Sequence, residues 1–262
     1  MKSFRHPSET PIYYLTLLML GGIVAFSALP TVCLMPLLVL GFIALSYWMS
    51  QSHHKQLLSQ AYRVTPQSTP RLAALAQDCL NRLRPGAVEF YVLPQNVLNA
   101  YTFGFSKPNV VVLYSPMLKV MDADELRFVI GHELGHVSLG HTWLNTLLGG
   151  MGGVPVSFGA AIILTLAFRW WNRACEYSAD RAGLLACGSL TKSISALAQL
   201  AVGDINTQEE LVRAIRVIEQ QDGEAGSGLS ELLSTHPLIL KRINQLRAWA
   251  ATPEYQRLSQ NF

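Results

Sequence analysis

The chain has 262 residues, half of them hydrophobic and only 14% charged, against roughly 25% charged in an average soluble domain. Its net charge of +3 comes from scattered Lys and Arg residues without a basic stripe, which gives little support to a nucleic-acid-binding surface. The length suffices for one or two domains with a substantial core, and Cys33, Cys79, Cys175 and Cys187 show neither CxxC spacing nor a dense disulfide framework, as expected of thiols in a reducing compartment.

From Thr10 to His54 the sequence contains no Asp, Glu, Lys or Arg, and Pro30 divides this run into Ile12 to Leu29 and Thr31 to Met49. A helix rising about 1.5 Å per residue needs roughly 17 to 25 residues to cross a hydrocarbon core. The run therefore predicts a hairpin of two near-minimal transmembrane helices, with residues 1–55 as a membrane anchor. Tyr13, Tyr14, Tyr47 and Trp48 stand where interfacial aromatics are expected. A buried soluble hairpin would keep more of a polar face, and no small-residue cleavage site after Ser27 marks a removable signal peptide. Lys2 and Arg5 precede the first span and Lys55 and Arg63 follow the second, so the positive-inside rule puts both flanks in the cytoplasm.

Residues 56–84 read as a helical linker or scaffold, with helical spacing of Leu57, Leu58, Leu72, Leu75 and Leu80 and with Pro66 and Pro70 separating two helices. Ala87 to Leu93 and Val110 to Tyr114 are short β-rich runs with Asn99 to Phe103 between them, bounded by Pro94, Gly104 and the Lys107-Pro108-Asn109 turn; they predict a small sheet. Asp122, with Glu125 three residues on, has the pattern of a capping box opening a helix through Leu126, Val129, Ile130 and Leu134. Thr142 to Phe168 again lacks charge and contains a turn at Gly149, Gly150, Gly152 and Gly153. Candidate metal ligands flank it on both sides, so one crossing would separate them. It is expected to form a short apolar hairpin dipping into the bilayer or lying against it, with Arg169, Trp170 and Trp171 near the interface; a buried core hairpin is the alternative. Beyond residue 171 the pattern is helical, interrupted by the Gly-, Ser- and acid-containing loop from Gln221 to Ser230.

The helix opened by Asp122 carries His132-Glu133-Leu134-Gly135-His136. Histidines four residues apart differ by about 40° around a helix and can address one metal ion. Glu133, turned by roughly 100°, can reach a metal-activated water as general base without binding the metal. Zinc in such a site lowers the pKa of water to about 7 and makes hydroxide attack on a peptide carbonyl feasible. Of the third-ligand candidates, His141 comes five residues after His136, one short of the HExxHxxGxxH spacing, and on a continuing helix it points away from His132; it reads as a structural or surface histidine. Glu176 is the better candidate. It shares a helix face with Asp180, which is placed to hydrogen-bond a ligand histidine and fix its tautomer.

The HELGH segment, the Glu176-xxx-Asp180 run, the Asn99-Ala100 strand and His236-Pro237 with Arg242 in THPLILKRI together resemble the HtpX-like family of gluzincin metallopeptidases, relatives of the CAAX prenyl endopeptidases. The resemblance covers roughly residues 85 to 250 and implies a zinc-dependent endopeptidase. It implies one Zn2+ per subunit on His132, His136 and Glu176, with Glu133 as base and Asp180 behind a ligand. Asn99 and Ala100 would lie on the strand that binds the substrate backbone, and His236 and Arg242 would stand near the site. His236 suits donation to the oxyanion of a tetrahedral intermediate, while Arg242 alternatively pairs with Asp180 or Glu176.

The expected architecture is thus α+β and mostly helical: an N-terminal transmembrane helical hairpin, then a zincin-type metallopeptidase domain over residues 85–262 with a small β-sheet and an apolar membrane-associated insertion near 142–168. The implied setting is a bacterial inner membrane, the site facing the cytoplasm, with protein or peptide substrates that include misfolded membrane proteins. The alternative is a non-catalytic membrane-tethered adaptor or chaperone, which loss of Glu133 or a ligand would favour; neither is lost. An intramembrane protease is disfavoured because Asp122, Asp124, Glu125 and Arg127 start the HELGH helix in water.

Overall fold

A computed structural model of the chain describes residues 4–28, 34–104, 107–142, 159–202, 209–210, 212–213, 215–217 and 239–260. Two helices, α1 (Glu9–Ala28) and α2 (Leu34–Ser59), pack on each other and correspond to the expected helical pair. Among the described residues, however, no helix is long and apolar enough to cross a membrane. α1 opens on the carboxylate of Glu9, α2 runs on through the polar Gln51 to Ser59, and residues 29–33 of the apolar run lie outside the described part.

The residues between this pair and the HELGH helix form a four-stranded sheet and one packed helix. After β1 (Tyr62–Arg63), α3 (Pro70–Leu83) starts with Pro in its first turn, where the missing N–H costs nothing. It buries Leu72, Ala76, Cys79 and Leu83, one stripe of an amphipathic helix. Strands β2 (Val88–Leu93), β3 (Ala100–Phe103) and β4 (Asn109–Tyr114) follow the β-rich runs, in the sheet order β1-β2-β4-β3. β2 and β4 are parallel; β3 is antiparallel to β4 and lies at the sheet edge. The uninterrupted apolar run of β4 buries Val110 to Leu113 on both faces, whereas only Phe103 of β3 is buried.

After the short α4 (Met117–Val120), helix α5 (Ala123–Leu139) begins with the expected capping box. The Asp122 carboxylate accepts from the backbone N–H groups of Asp124 and Glu125, both at 2.9 Å, and Glu125 accepts from the N–H of Asp122. α5 is buried on nearly all sides, against α3, the sheet, α6 (Gly159–Cys187), α7 (Leu190–Val202) and, through α6 and α7, α8 (Ile239–Ala250); α9 (Pro253–Ser259) closes the described chain. Of the apolar stretch expected as a hairpin, residues 143–158 lie outside the described part and Gly159 to Phe168 form the start of α6. Trp170 is half exposed, but Trp171 is 2% exposed and packs on Ile12, Ala174 and Cys175, joining α1 to α6 instead of facing an interface. Helical geometry explains it, since Trp171 shares a face with the buried residues three and four positions on. Cys79, Cys175 and Cys187 are free thiols, as expected, and burial pushes the Cys79 thiol up to about 12.

Helices α5 and α6 pack closely on each other. A Cβ at Gly135 would lie 2.8 Å from that of Ala182, one at Gly183 would lie 2.8 Å from the Phe128 ring, and one at Gly131 would collide with the Ala186 methyl. Small residues on both helices therefore let the backbones approach and bring the α6 side chains up to the HELGH turn. Gly131→Val is expected to lower stability by about 1–3 kcal/mol through overpacking, read as a reduced midpoint of thermal unfolding. An unchanged midpoint would mean the helices do not approach this closely.

Candidate active site

His132 and His136 lie one turn apart on α5 with their Nε2 atoms 3.2 Å from each other. Glu176, delivered by α6, places Oε2 3.6 Å from His132 Nε2 and Oε1 3.5 Å from His136 Nε2. One ligand atom from each of the three buried residues lies within 4.8 Å of the others. Two imidazoles and a carboxylate converging in this way form a donor set suited to zinc.

Around it, Asp180 sits one turn beyond Glu176 and accepts from His132 Nδ1 at 3.0 Å, which leaves Nε2 of that ring to face the cluster. Arg242, from α8, donates Nε and Nη2 to Asp180 at 2.8 and 2.6 Å and approaches Glu176 Oε2 with Nη1 at 3.1 Å. Both pairings anticipated for Arg242 therefore occur together. Burial disfavours charge on Glu176 and Asp180, but the Arg242 guanidinium and His132, joined at Glu176 by His136, outweigh it and hold both carboxyls below their ordinary values, Glu176 well below. Burial likewise opposes the charge on Arg242, yet Asp180 and Glu176 raise its pKa further.

Glu133 is 6% exposed, and its Oε2 accepts from Thr102 Oγ1 at 2.5 Å. Thr102 lies two residues after Ala100 on β3 and so shares its face of the strand. Ala100 is half-buried; Asn99, just before the strand, is exposed and its carbonyl accepts from the Tyr114 N–H at 3.0 Å. The structure thus brings His132, Glu133, His136, Glu176, Asp180, Arg242 and the Ala100 strand to one place. His236 and the 221–230 loop lie outside the described residues. Glu133, Glu176 and Asp180 against the single guanidinium of Arg242 leave two negative charges in a buried volume when the histidines are neutral. A divalent cation balances them, so these residues fit zinc by charge as well as by ligand type.

Thr102 and Glu9 escaped the sequence reading, and His141 was read only as structural or surface. Thr102 follows from Ala100 by strand alternation. His141 is no surface residue: Gly140 takes a left-handed conformation (φ 77°) and ends α5, so the next residue turns back and buries its ring, 1% exposed, against His136 and Trp171. Burial, His136 and Arg5 together push its pKa well below the ordinary value, keeping it neutral. Glu9, 0% exposed, accepts from His141 Nε2 at 3.0 Å. Its signal was its position as the first acidic residue of the chain, at the very edge of the charge-free run, four residues after Arg5.

The sequence profile of peptidase family M48 matches residues 66–250, from α3 through α8. The chain belongs to peptidase family M48. It is 25% identical over 277 residues to a Protease HtpX homolog of Arthrobacter sp. (strain FB24), covering 92% of this chain and 94% of that protein. To the Protease HtpX homolog of Aquifex aeolicus it is 25% identical over 269 residues, covering 88% and 87%. It is 30% identical over 203 residues to the plastoglobule-localized metallopeptidase 48 of Arabidopsis thaliana, covering 71% of this chain but 59% of that longer protein. This M48 metallopeptidase therefore belongs with the HtpX-like members of the family, as its motifs suggested, and is a metalloprotease.

Proposed function

We propose that this M48 protease is a membrane-anchored endopeptidase holding one zinc ion on His132, His136 and Glu176, with Glu133 as general base. The convergence of those three ligand atoms beside a carboxylate already oriented by Thr102 carries the reading. Bound zinc would supply Lewis acidity and lower the pKa of water to about 7. The chain's own residues do the rest. The Thr102 hydroxyl fixes one oxygen of Glu133, leaving Oε1, the oxygen not engaged by Thr102, to take the proton from the attacking water and pass it to the departing amine. The edge of β3 offers backbone groups to an extended peptide, so a substrate strand can add beside Asn99 and Ala100, next to Glu133. His236 donates to the oxyanion in this scheme; its assignment rests on the THP motif alone. Asp180 and Arg242 hold His132 and Glu176 in place from behind.

Two observations support anchoring. The run from Thr10 to His54 is free of charge, and Tyr14, Leu18, Trp48 and Met49 expose 58–73% of their surface. Both outer ends of the helical pair also dock on the peptidase core: Arg5 donates to the Leu139 carbonyl at 2.9 Å, and His54 stacks on Phe103 with ring centroids 3.8 Å apart. In this reading the pair is a hairpin with both outer ends on one side of a bilayer, and the site lies on the side of the flanking Lys and Arg residues, the cytoplasmic one. A bacterial inner membrane and substrates drawn from damaged or misassembled membrane proteins fit that placement.

The test uses full-length protein in detergent and an unfolded substrate such as reduced casein. Cleavage is expected to stop on treatment with a strong zinc chelator and to return when zinc is restored. Zinc-loaded protein that cleaves none of several unfolded substrates would instead favour a membrane-tethered adaptor that keeps the fold.

A further inference from the structure

We infer that Glu9 and His141 are positioning residues for the metal centre, a carboxylate–histidine pair that fixes the ring of His136 from the N-terminal segment. The inference rests on His136 being a metal ligand, as proposed above.

His136 turns Nε2 toward Glu176 and His132. A neutral imidazole that offers a lone pair at Nε2 carries its proton on Nδ1. That Nδ1 lies 3.0 Å from Nδ1 of His141. Two ring nitrogens at this distance attract only if one of them holds a proton, so His141 accepts at Nδ1 and its own proton sits on Nε2. Nε2 of His141 lies 3.0 Å from the Glu9 carboxylate, the acceptor such a proton requires. Both hydrogen bonds then run in one direction, from ligand ring to histidine to carboxylate, and the opposite tautomers would place a proton on the nitrogen needed for the metal. The arrangement matches Asp180 behind His132, lengthened by one imidazole.

The chain spends several contacts on holding Glu9 there. Its carboxylate also accepts from the Arg5 guanidinium and the Ser178 hydroxyl, Ser178 accepts from the His6 N–H at 2.8 Å, and Arg5 donates to Leu139. A fully buried carboxylate is costly unless each oxygen is engaged, and His141 is the partner that gives its position a purpose. Glu9, His141 and Cys175 also lie close enough to hold a second metal ion. Three donors already occupy the carboxylate and both nitrogens of His141 are engaged, so these contacts are read as a hydrogen-bond relay.

The experiment compares full-length wild type in detergent with Glu9→Gln, His141→Phe and the double variant. It measures zinc stoichiometry, zinc affinity by chelator competition, the visible spectrum of the cobalt-substituted protein and, in zinc-loaded wild type, the 15N resonances of the seven histidines. Each single change is expected to weaken zinc binding by at least about 10-fold and to shift the cobalt spectrum. The double variant is expected to be no weaker than the worse single variant, since the two residues act as one unit. In wild type His141 is expected to be protonated at Nε2 and bare at Nδ1. Folded variants with lower thermal stability but unchanged zinc affinity would overturn the proposal, leaving the pair a purely structural contact. So would a proton on Nδ1 of His141, a result that needs no variant to fold, or a second zinc ion lost with Glu9→Gln. Wild type that binds no zinc would overturn the ligand assignment itself, and the inference with it.

Discussion

Glu133→Gln is expected to keep the metal and lose about 10²–10⁴-fold in peptide hydrolysis, the range by which a positioned general base accelerates such reactions. The amide is nearly isosteric with the carboxylate and still accepts from Thr102 Oγ1, so the turn of α5 between His132 and His136 stays as it is. What disappears is the basic oxygen. Comparison of metal content and turnover in the same preparation checks this: activity within a few-fold of wild type would take Glu133 out of the chemistry, whereas loss of metal would make it a ligand.

Arg242→Met is expected to destabilise the metal-free protein by about 3–5 kcal/mol, the cost of stripping a buried ion-pair network of one partner. The guanidinium is the cation that Asp180 and Glu176 share, and methionine fills its space without answering either charge. With zinc bound the loss should be smaller, because the dication compensates Glu176. The pH dependence has a defined sign. Both carboxyls are depressed in the folded protein, so their stabilisation is complete above the unfolded carboxylate range of about 4 and is lost as pH falls through the folded values. Thermal unfolding of the metal-free protein should therefore show a steep acid limb in wild type and a flatter one in Arg242→Met. Equal acid limbs would mean that Arg242 is not what depresses them.

The shared face of the HELGH histidines, the Glu176 and Asp180 pair and the capping box at Asp122 were legible because helical period and cap chemistry are local: four residues of sequence fix which side chains share a face. The same holds for the three strands after residue 87, each bounded by proline, glycine or a turn. For Arg242 the sequence offered Asp180 or Glu176 as partner but not that one guanidinium serves both, since that depends on where α8 lies against α6 and α7. His141 read as a structural or surface histidine, and the structural alternative holds; its contact with His136 was not legible because a helix continued past Gly140 would carry it away, whereas a left-handed glycine at that position turns the chain back. Glu9 could not be placed at all from sequence. It joins His141 across 132 positions, and its burial beside Ser178 follows from the packing of α1 on α6, a contact between two apolar helices with no periodic signature of its own. Trp171 is buried for the same reason, in the joint that α1 closes.

Zinc content of the purified full-length protein, wild type beside Glu176→Ala, decides whether His132, His136 and Glu176 hold the metal. About one zinc ion per wild-type chain is expected, as in a three-ligand catalytic site, and none retained by Glu176→Ala after the same purification. Glu176→Ala that keeps its zinc would contradict the site as built here and require a third ligand from elsewhere in the chain.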